Sequence, residues 1–431
     1  MKHSRAVLIL SVIVLASCGT ETKAPRVVLV GIDGAEWNII DSMIAQGELP
    51  NFAHIIEGGV RGDLETLPGR TSPVIWNTVV TGRTPEDHGI PAWTVKGADG
   101  KPRLVTSNMR KAATIWEILS DAGLRSTVIG WIASWPATPL DGYLVTPYSP
   151  LLDSGADGLS RNALPKKGTL WEEVQHQTFP EELIEELSEF RVAPTSIEDE
   201  VLANYFDPFQ GEPSDREESL VKSLRYVIAA DTTFADVAHE LFGREDMPFQ
   251  AVYFGGVDAV SHRFWRFYDS SVYSATEDEQ LRFGNVIPEY YRTMDAEIGR
   301  ILEGLDENAT LILCSDHGFQ SAPKDFDVRE QSGGHRMVGV LVLYGRGIRS
   351  GEVIEGASVY DLTPTMLALL GLPVAEDMPG DVLTDALLSV PEVRRTGSYQ
   401  YLMEGRGDAN PIESAADDEI MDQLRSLGYV R

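Results

Sequence analysis

Residues 26–34 read RVVLVGIDG, a nearly continuous apolar run that stops at Asp33-Gly34. An uninterrupted run of this length is typical of a strand buried on both faces of a parallel sheet. The following stretch, Trp37 to Ala45, places apolar side chains at helical spacing and is closed by Gly47. The order strand, loop, helix predicts the opening unit of an α/β protein with a mostly parallel central sheet.

The same alternation of strands and helices continues along the chain. Further helices are predicted over 112–123, 220–241 and 359–370, and further strands over 126–131, 249–255, 310–314 and 338–344. Between 149 and 215 the alternation gives way to glycine, proline and acidic residues, which indicates an insertion. Ligands bind at the carboxyl ends of parallel strands, so this insertion either caps a substrate site or is a surface excursion without substrate contact.

We therefore predict a core formed by 25–148 and 216–397, an inserted cap over 149–215 and a separate C-terminal segment over 398–431. The chain has 431 residues, enough for one large core. Its formal charge of -30 argues against general nucleic-acid binding, because such proteins neutralise phosphates with basic surfaces. Bound divalent metals would supply the positive charge that an anionic substrate needs.

The N-terminus has the features of an export signal. Lys2 and Arg5 precede an apolar run over 6–16 that is too short to span a membrane, so residues 1–17 are predicted to be a signal peptide. The sequence LASCG that ends at Gly19 resembles a bacterial lipobox, in which Cys18 is acylated. Because Gly19 is not aspartate, we expect a periplasm-facing lipoprotein of the outer membrane. An ordinary signal peptide with an incidental cysteine is the alternative.

Aspartate and histidine side chains recur directly after predicted strands or at a predicted helix start, where an α/β fold gathers its catalytic groups. They are Asp33, Asp258, His262, Asp316, His317 and His335. Asp258 and His262 are four residues apart and so share one helical face. Each residue alone has a structural explanation, such as helix capping. Together they predict two metal sites with nitrogen and oxygen ligands.

A hydroxyl group is predicted at the start of a short helix. Ser72 followed by Pro73 suits the N-cap and first helical position, and Gly82 suits the helix end. The Ser72 hydroxyl would then lie at the positive end of the helix dipole, an environment that binds phosphate. A plain capping serine is the alternative reading. Thr71 is the less favoured candidate for a nucleophile at this position.

The order of these motifs resembles the type I phosphodiesterase and nucleotide pyrophosphatase family of the alkaline phosphatase superfamily. The resemblance rests on Ser72 followed by TGRTPEDHGI at 81–90, on Asp258-x-x-x-His262, on Asp316-His317-Gly318 and on His335. It covers most of the mature chain and implies an alkaline phosphatase-like three-layer α/β/α fold. It also implies one zinc held by Asp258, His262 and His335 and a second held by Asp33, Asp316 and His317. Ser72 would contact the second metal as the nucleophile.

The resemblance implies a two-zinc phosphoric ester hydrolase, similar to phosphodiesterases, that acts on a small phosphoester. The hydroxyl would attack the phosphoryl group, and water would then hydrolyse the covalent phosphoserine. A phosphomonoesterase or a phosphotransferase of the same superfamily needs no different metal ligands and stays open. A non-catalytic binding lipoprotein on this scaffold is the alternative from another functional class.

Overall fold

The computed structural model describes residues 24–421 except 98, 149–173, 210, 245–246, 324–331, 391, 407–409, 415–416 and 419. The predicted signal peptide, Cys18 and the first part of the predicted cap lie outside the described residues. Across the described part of the chain, no helix combines the length and apolar character needed to cross a membrane.

The strands are β1 (Arg26–Ile32), β2 (Val60–Glu65), β3 (Thr94–Lys96), β4 (Pro102–Leu104), β5 (Ser126–Ile129), β6 (Gly142–Val145), β7 (Thr178–Phe179), β8 (Phe249–Phe254), β9 (Ala309–Cys314), β10 (Gly318–Ser321), β11 (Gly333–Arg336), β12 (Val338–Gly345), β13 (Glu352–Ser358), β14 (Val374–Ala375) and β15 (Arg395–Thr396). The α-helices are α1 (Trp37–Ala45), α2 (Pro50–Glu57), α3 (Ser72–Thr81), α4 (Pro85–His88), α5 (Ile115–Asp121), α6 (Leu183–Glu186), α7 (Asp199–Tyr205), α8 (Asp215–Arg244), α9 (Gly256–Tyr268), α10 (Glu277–Phe283), α11 (Val286–Glu303) and α12 (Leu362–Leu369).

Nine strands form the central sheet in the order β13-β2-β12-β9-β1-β8-β5-β6-β7. Strands β9, β1, β8, β5 and β6 are parallel neighbours, and β13 is parallel to β2. Strand β12 runs antiparallel to β9 and β2, and β7 runs antiparallel to β6. The predicted α/β fold with a mostly parallel central sheet is confirmed.

Strand β1 lies at the centre of the sheet, and all seven of its residues are buried. Because side chains alternate along a strand, Val28 and Val30 face one apolar core while Val27 and Leu29 face the other. The first core includes residues of α1, α2, α8, α9 and α11, and the second includes residues of α3, α5 and α12. Helices therefore cover both faces of the sheet and give the three layers.

The described part of the predicted cap contributes to the sheet and to one helix layer. It adds β7 to the edge of the sheet and packs α6 and α7 beside α8 and α11. The Tyr205 hydroxyl lies 2.8 Å from Thr293 Oγ1, and Arg225 donates to Asp199 over 2.6 Å. Leu202 is buried in the core on that face. Contact between the 149–215 region and substrate stays a prediction.

Candidate metal centre and nucleophile

The predicted metal ligands meet at the carboxyl ends of the central strands of the sheet. Asp33 follows β1, Asp258 lies in the first turn of α9 after β8, and Asp316 follows β9. These three strands are adjacent and parallel, so their carboxyl ends lie side by side. His335 comes from the hairpin of β10 and β11. It is the more exposed ligand, with 27% of its side chain accessible, whereas the three aspartates are buried.

The first set of ligands, Asp258, His262 and His335, is called the Asp258 group here. Its three candidate ligand atoms are close to one another: Asp258 Oδ1 lies 3.4 Å from His262 Nε2 and 3.5 Å from His335 Nε2, and the two Nε2 atoms are 3.0 Å apart. The other ring nitrogen of His262 lies 3.1 Å from the Gly333 carbonyl oxygen. That contact orients the imidazole so that Nε2 faces the other ligands, as in many zinc sites.

The second set, Asp33, Asp316 and His317, is called the Asp33 group. His317 Nε2 lies 3.4 Å from Asp33 Oδ1 and 3.5 Å from Asp316 Oδ2, while its Nδ1 faces the Gly318 carbonyl oxygen at 3.1 Å. The two groups adjoin, because His317 Nε2 is also 3.6 Å from Asp258 Oδ1. His317 can therefore serve either ion, and Asp258, His317 and His335 also form a possible three-ligand cluster.

The buried atoms of the Asp33 group fit a bound cation. Asp33 Oδ1, Asp316 Oδ2 and His317 Nε2 are buried and have no hydrogen-bond partner. A buried polar atom without a partner costs about 1–3 kcal/mol, and here three such atoms face one another. Carboxylate oxygen with imidazole nitrogen is the donor set of zinc and related divalent metals. The residues present therefore fit the metal ions that the sequence predicts.

The electrostatics of the site also favour bound cations. Burial, followed by the nearby Asp258 charge, raises the pKa of Asp33 to about 7. Burial and the neighbouring Asp33 raise the pKa of Asp316 well above its ordinary value. Burial lowers the pKa of His317, which keeps its imidazole in the neutral form that binds metals. Several buried carboxylates become ionised together only when positive charge compensates them.

This electrostatic arrangement predicts a pH-dependent stabilisation by zinc. Burial raises the pKa of Asp33 to about 7 in the metal-free fold. The protonated Asp33 carboxyl therefore stabilises the metal-free fold at low pH, and this contribution is lost as the pH rises through about 7. Zinc binding needs the ionised carboxylate, so protons compete with zinc at low pH. We expect the difference in Tm between zinc-loaded and zinc-free protein to grow from about pH 5 to about pH 8.

Thermal unfolding followed by circular dichroism measures this difference. Burial also raises the pKa of Asp231 to about 7. Asp231 is present in both samples, so its effect on Tm cancels in the difference. A difference in Tm that stays constant across this pH range would contradict the coupling between zinc and the buried carboxylates.

Helix α3 begins one residue earlier than the sequence predicts. Ser72 is the first helical residue and Thr71 is the N-cap, with φ -98° and ψ 160°. The assignment of Ser72 as N-cap and Pro73 as first helical residue is therefore wrong. The reason is that the Thr71 carbonyl already accepts from the N–H of Ile75, over 3.3 Å, which places Ser72 inside the first turn. Gly82 ends the helix as predicted, with a left-handed φ of 63°.

The two adjacent hydroxyls at the start of α3 have different surroundings. Ser72 is buried, and its hydroxyl interacts with the Asp316 carboxyl, one of the contacts that lower the pKa of Asp316 against the effect of burial. Thr71 Oγ1 is buried without a hydrogen-bond partner, and its side chain caps no backbone N–H. The structure thus places Ser72 beside the Asp33 group, while the N-cap position belongs to Thr71.

Several residues of the site are not predicted by the sequence. Trp76 and Tyr253 both donate hydrogen bonds to Asp33 Oδ2. Glu36 is buried and pairs with Arg336 through two hydrogen bonds of 2.8 Å. The Glu36 pair joins the loop after β1 to the strand that carries His335. The four-residue spacing from Ser72 to Trp76 is a local signal that would have indicated a shared helical face.

Residues 27–363 match the family described as type I phosphodiesterase / nucleotide pyrophosphatase. A 2,3-bisphosphoglycerate-independent phosphoglycerate mutase of Aeromonas salmonicida (strain A449) is 36% identical over 92 residues, which are 21% of this chain and 18% of the relative. The same enzyme of Laribacter hongkongensis (strain HLHK9) is 31% identical over 96 residues, 22% of this chain and 19% of the relative. These matches span less than a fifth of the relatives' length.

Two solved structures are similar in backbone. Human ectonucleotide pyrophosphatase / phosphodiesterase 5 has a TM-score of 0.47 and 15% identity, and the match covers 84% of this chain and 100% of that chain. The murine protein has a TM-score of 0.48 and 14% identity, with the same coverage.

Proposed function

Because the chain belongs to the type I phosphodiesterase and nucleotide pyrophosphatase family, we propose that it hydrolyses phosphoric esters with two bound zinc ions. The observation that carries this proposal is the side-by-side placement of the Asp33 and Asp258 groups next to the start of α3. His317 Nε2 lies 3.6 Å from Asp258 Oδ1, so the two groups are close enough to act on one phosphoryl group.

The Asp258 group would hold one zinc and the Asp33 group the other. Bound zinc supplies positive charge that stabilises the phosphoryl oxygens and makes a nearby hydroxyl easier to deprotonate. Ser72 is the proposed nucleophile because its hydroxyl interacts with Asp316 of the Asp33 group. The N-terminal end of α3 adds the positive end of a helix dipole at the same place.

Two displacements complete the proposed reaction. In the first, Ser72 Oγ loses its proton to solvent and forms a bond to phosphorus, the bond to the leaving alkoxide breaks, and the alkoxide takes up a proton from solvent. In the second, a water oxygen bonds to phosphorus, and Ser72 Oγ leaves and regains a proton. The products are an alcohol and a phosphate that carries any remaining substituent.

The test is an assay of the zinc-loaded protein with bis-p-nitrophenyl phosphate and p-nitrophenyl phosphate. Faster release of nitrophenol from the diester supports a phosphodiesterase, and faster release from the monoester supports a phosphomonoesterase. Absence of release from both would favour the non-catalytic binding lipoprotein instead.

Phosphoryl transfer to an acceptor other than water is the second candidate. The partial matches to phosphoglycerate mutases, at 36% and 31% identity, favour it. An assay on p-nitrophenyl phosphate with glycerol as an added acceptor separates the two activities. Hydrolysis releases equal amounts of nitrophenol and inorganic phosphate, whereas transfer to glycerol releases less inorganic phosphate than nitrophenol.

We also propose that Cys18 anchors the protein in the outer membrane, facing the periplasm, because a lipobox-like sequence ends the export signal. Cys18→Ala is expected to move the protein from the membrane fraction to the soluble fraction, since the acyl chains are lost. Fractionation followed by immunoblotting measures this. A Cys18→Ala protein that stays with membranes as the parent does would rule out lipid anchoring at this cysteine.

A further inference from the structure

The two carboxylate oxygens of Asp33 have different environments. Oδ2 accepts hydrogen bonds from Trp76 Nε1 over 2.9 Å and from the Tyr253 hydroxyl over 2.6 Å. Oδ1 has no hydrogen-bond partner and lies 3.4 Å from His317 Nε2. We propose that Trp76 and Tyr253 are positioning residues that hold Asp33 as a one-oxygen ligand of the Asp33 group. This inference rests on the proposed two-zinc function.

The Trp76 ring is held in one orientation by its neighbours. It is fully buried and meets Trp131 and Tyr253 edge to face, with ring centroids 5.3 Å apart in both pairs. Trp131 Nε1 also donates to the Trp76 carbonyl oxygen over 3.2 Å. A packed aromatic ring cannot rotate without displacing its neighbours, so the indole N–H stays directed at Asp33.

Strand β1 is shaped to receive this ring. A Cβ atom on Gly31 would lie only 2.9 Å from two carbon atoms of the Trp76 ring. Gly31 is also the register partner of Tyr253 across the β1–β8 pair. Gly31 therefore leaves space for the Trp76 indole, which contacts Asp33 two residues after this glycine.

The same helix carries the positioning residue and the proposed nucleophile. Ser72 and Trp76 are four residues apart in α3, so they lie on one face of the helix. Ser72 interacts with Asp316, and Trp76 donates to Asp33. Helix α3 thus contacts both carboxylates of the Asp33 group, and the Trp76 hydrogen bond couples the position of the hydroxyl to that of the metal ligand.

The test measures zinc affinity directly. Tyr253→Phe and Trp76→Phe each remove one donor to Asp33 Oδ2 and keep an aromatic ring in place. Trp116→Phe is the matched control, because Trp116 is also a buried tryptophan of this cluster, 6.5 Å from Trp131, and its Nε1 has no hydrogen-bond partner. Competition of the full chain with a chromophoric zinc chelator gives the two dissociation constants, and the Tm of the zinc-free variants checks that the fold persists.

We expect each donor variant to weaken the binding of one of the two zinc ions about 10- to 100-fold and to leave the affinity for the other unchanged. Trp116→Phe should bind both ions as the wild type does. If wild-type protein binds two zinc ions and both donor variants match it, the positioning role is wrong while the proposed function stands. Equal weakening in Trp116→Phe would assign the effect to aromatic packing and also overturn the inference. A wild-type chain that binds no zinc would overturn both.

Discussion

Ser72→Ala is expected to lower kcat by roughly 10⁴-fold or more, because it removes the atom that forms the covalent bond to phosphorus. Thr71→Ala is expected to cost far less and to leave the zinc content intact. The structural reason is that the Ser72 hydroxyl interacts with the Asp316 carboxyl, whereas Thr71 Oγ1 has no hydrogen-bond partner. Steady-state kinetics on p-nitrophenyl esters and elemental analysis of both variants measure the two expectations.

Thr71 is also a candidate nucleophile, since it is the N-cap of α3 and its buried hydroxyl lacks a hydrogen-bond partner. Rapid acid quench during turnover, followed by mapping of the phosphorylated peptide, identifies the attacking residue. Thr71→Val is a useful companion variant, because it keeps the shape of threonine and removes the hydroxyl. Phosphate on Thr71 would reverse the assignment without disturbing the two-zinc mechanism.

The elements that the sequence predicts best are those with a strong local pattern. Strand β1 and helix α1 have the predicted bounds, because a buried parallel strand is continuously apolar and an amphipathic helix repeats its apolar side chains. The six candidate metal ligands follow a related pattern. Asp33, Asp316 and His317 follow strands and Asp258 lies in the first turn of α9, so parallel topology brings these positions together. His262 shares a face of α9 with Asp258, and His335 lies in β11 after two glycines.

The elements that the sequence does not predict depend on distant parts of the chain. Strand β2 is short, contains Gly62 in its interior and carries only two apolar side chains other than glycine, so its local signal is weak, and its pairing with β12 and β13 defines it. The contact of Trp76 with Asp33 joins residues 43 positions apart. The sequence places the N-cap of α3 one residue too late because Ser-Pro and Thr-x-Pro both suit a helix start.

Replacing single ligands tests the metal centre itself. Asp258→Ala and Asp316→Ala are each expected to lose about one of two zinc ions, because each removes a buried carboxylate from one group of three ligands. Asp258→Asn and Asp316→Asn remove the charge with little change in side-chain volume. Asp41→Ala is the matched control, since Asp41 is an exposed aspartate of α1 paired with Arg61 at 2.7 Å.

The loss of zinc should also be visible in stability. A ligand that binds only the folded state stabilises it by about 4 kcal/mol at a thousandfold excess over its Kd, so zinc should raise the Tm of the wild type and of Asp41→Ala. The rise should be smaller in the four ligand variants, because one ion no longer contributes. Asp258 Oδ1 lies within 3.4–3.6 Å of His262, His317 and His335, so the Asp258 variants are expected to lose the larger share. A wild-type protein that takes up no zinc after dialysis into zinc buffer would refute the two-zinc site.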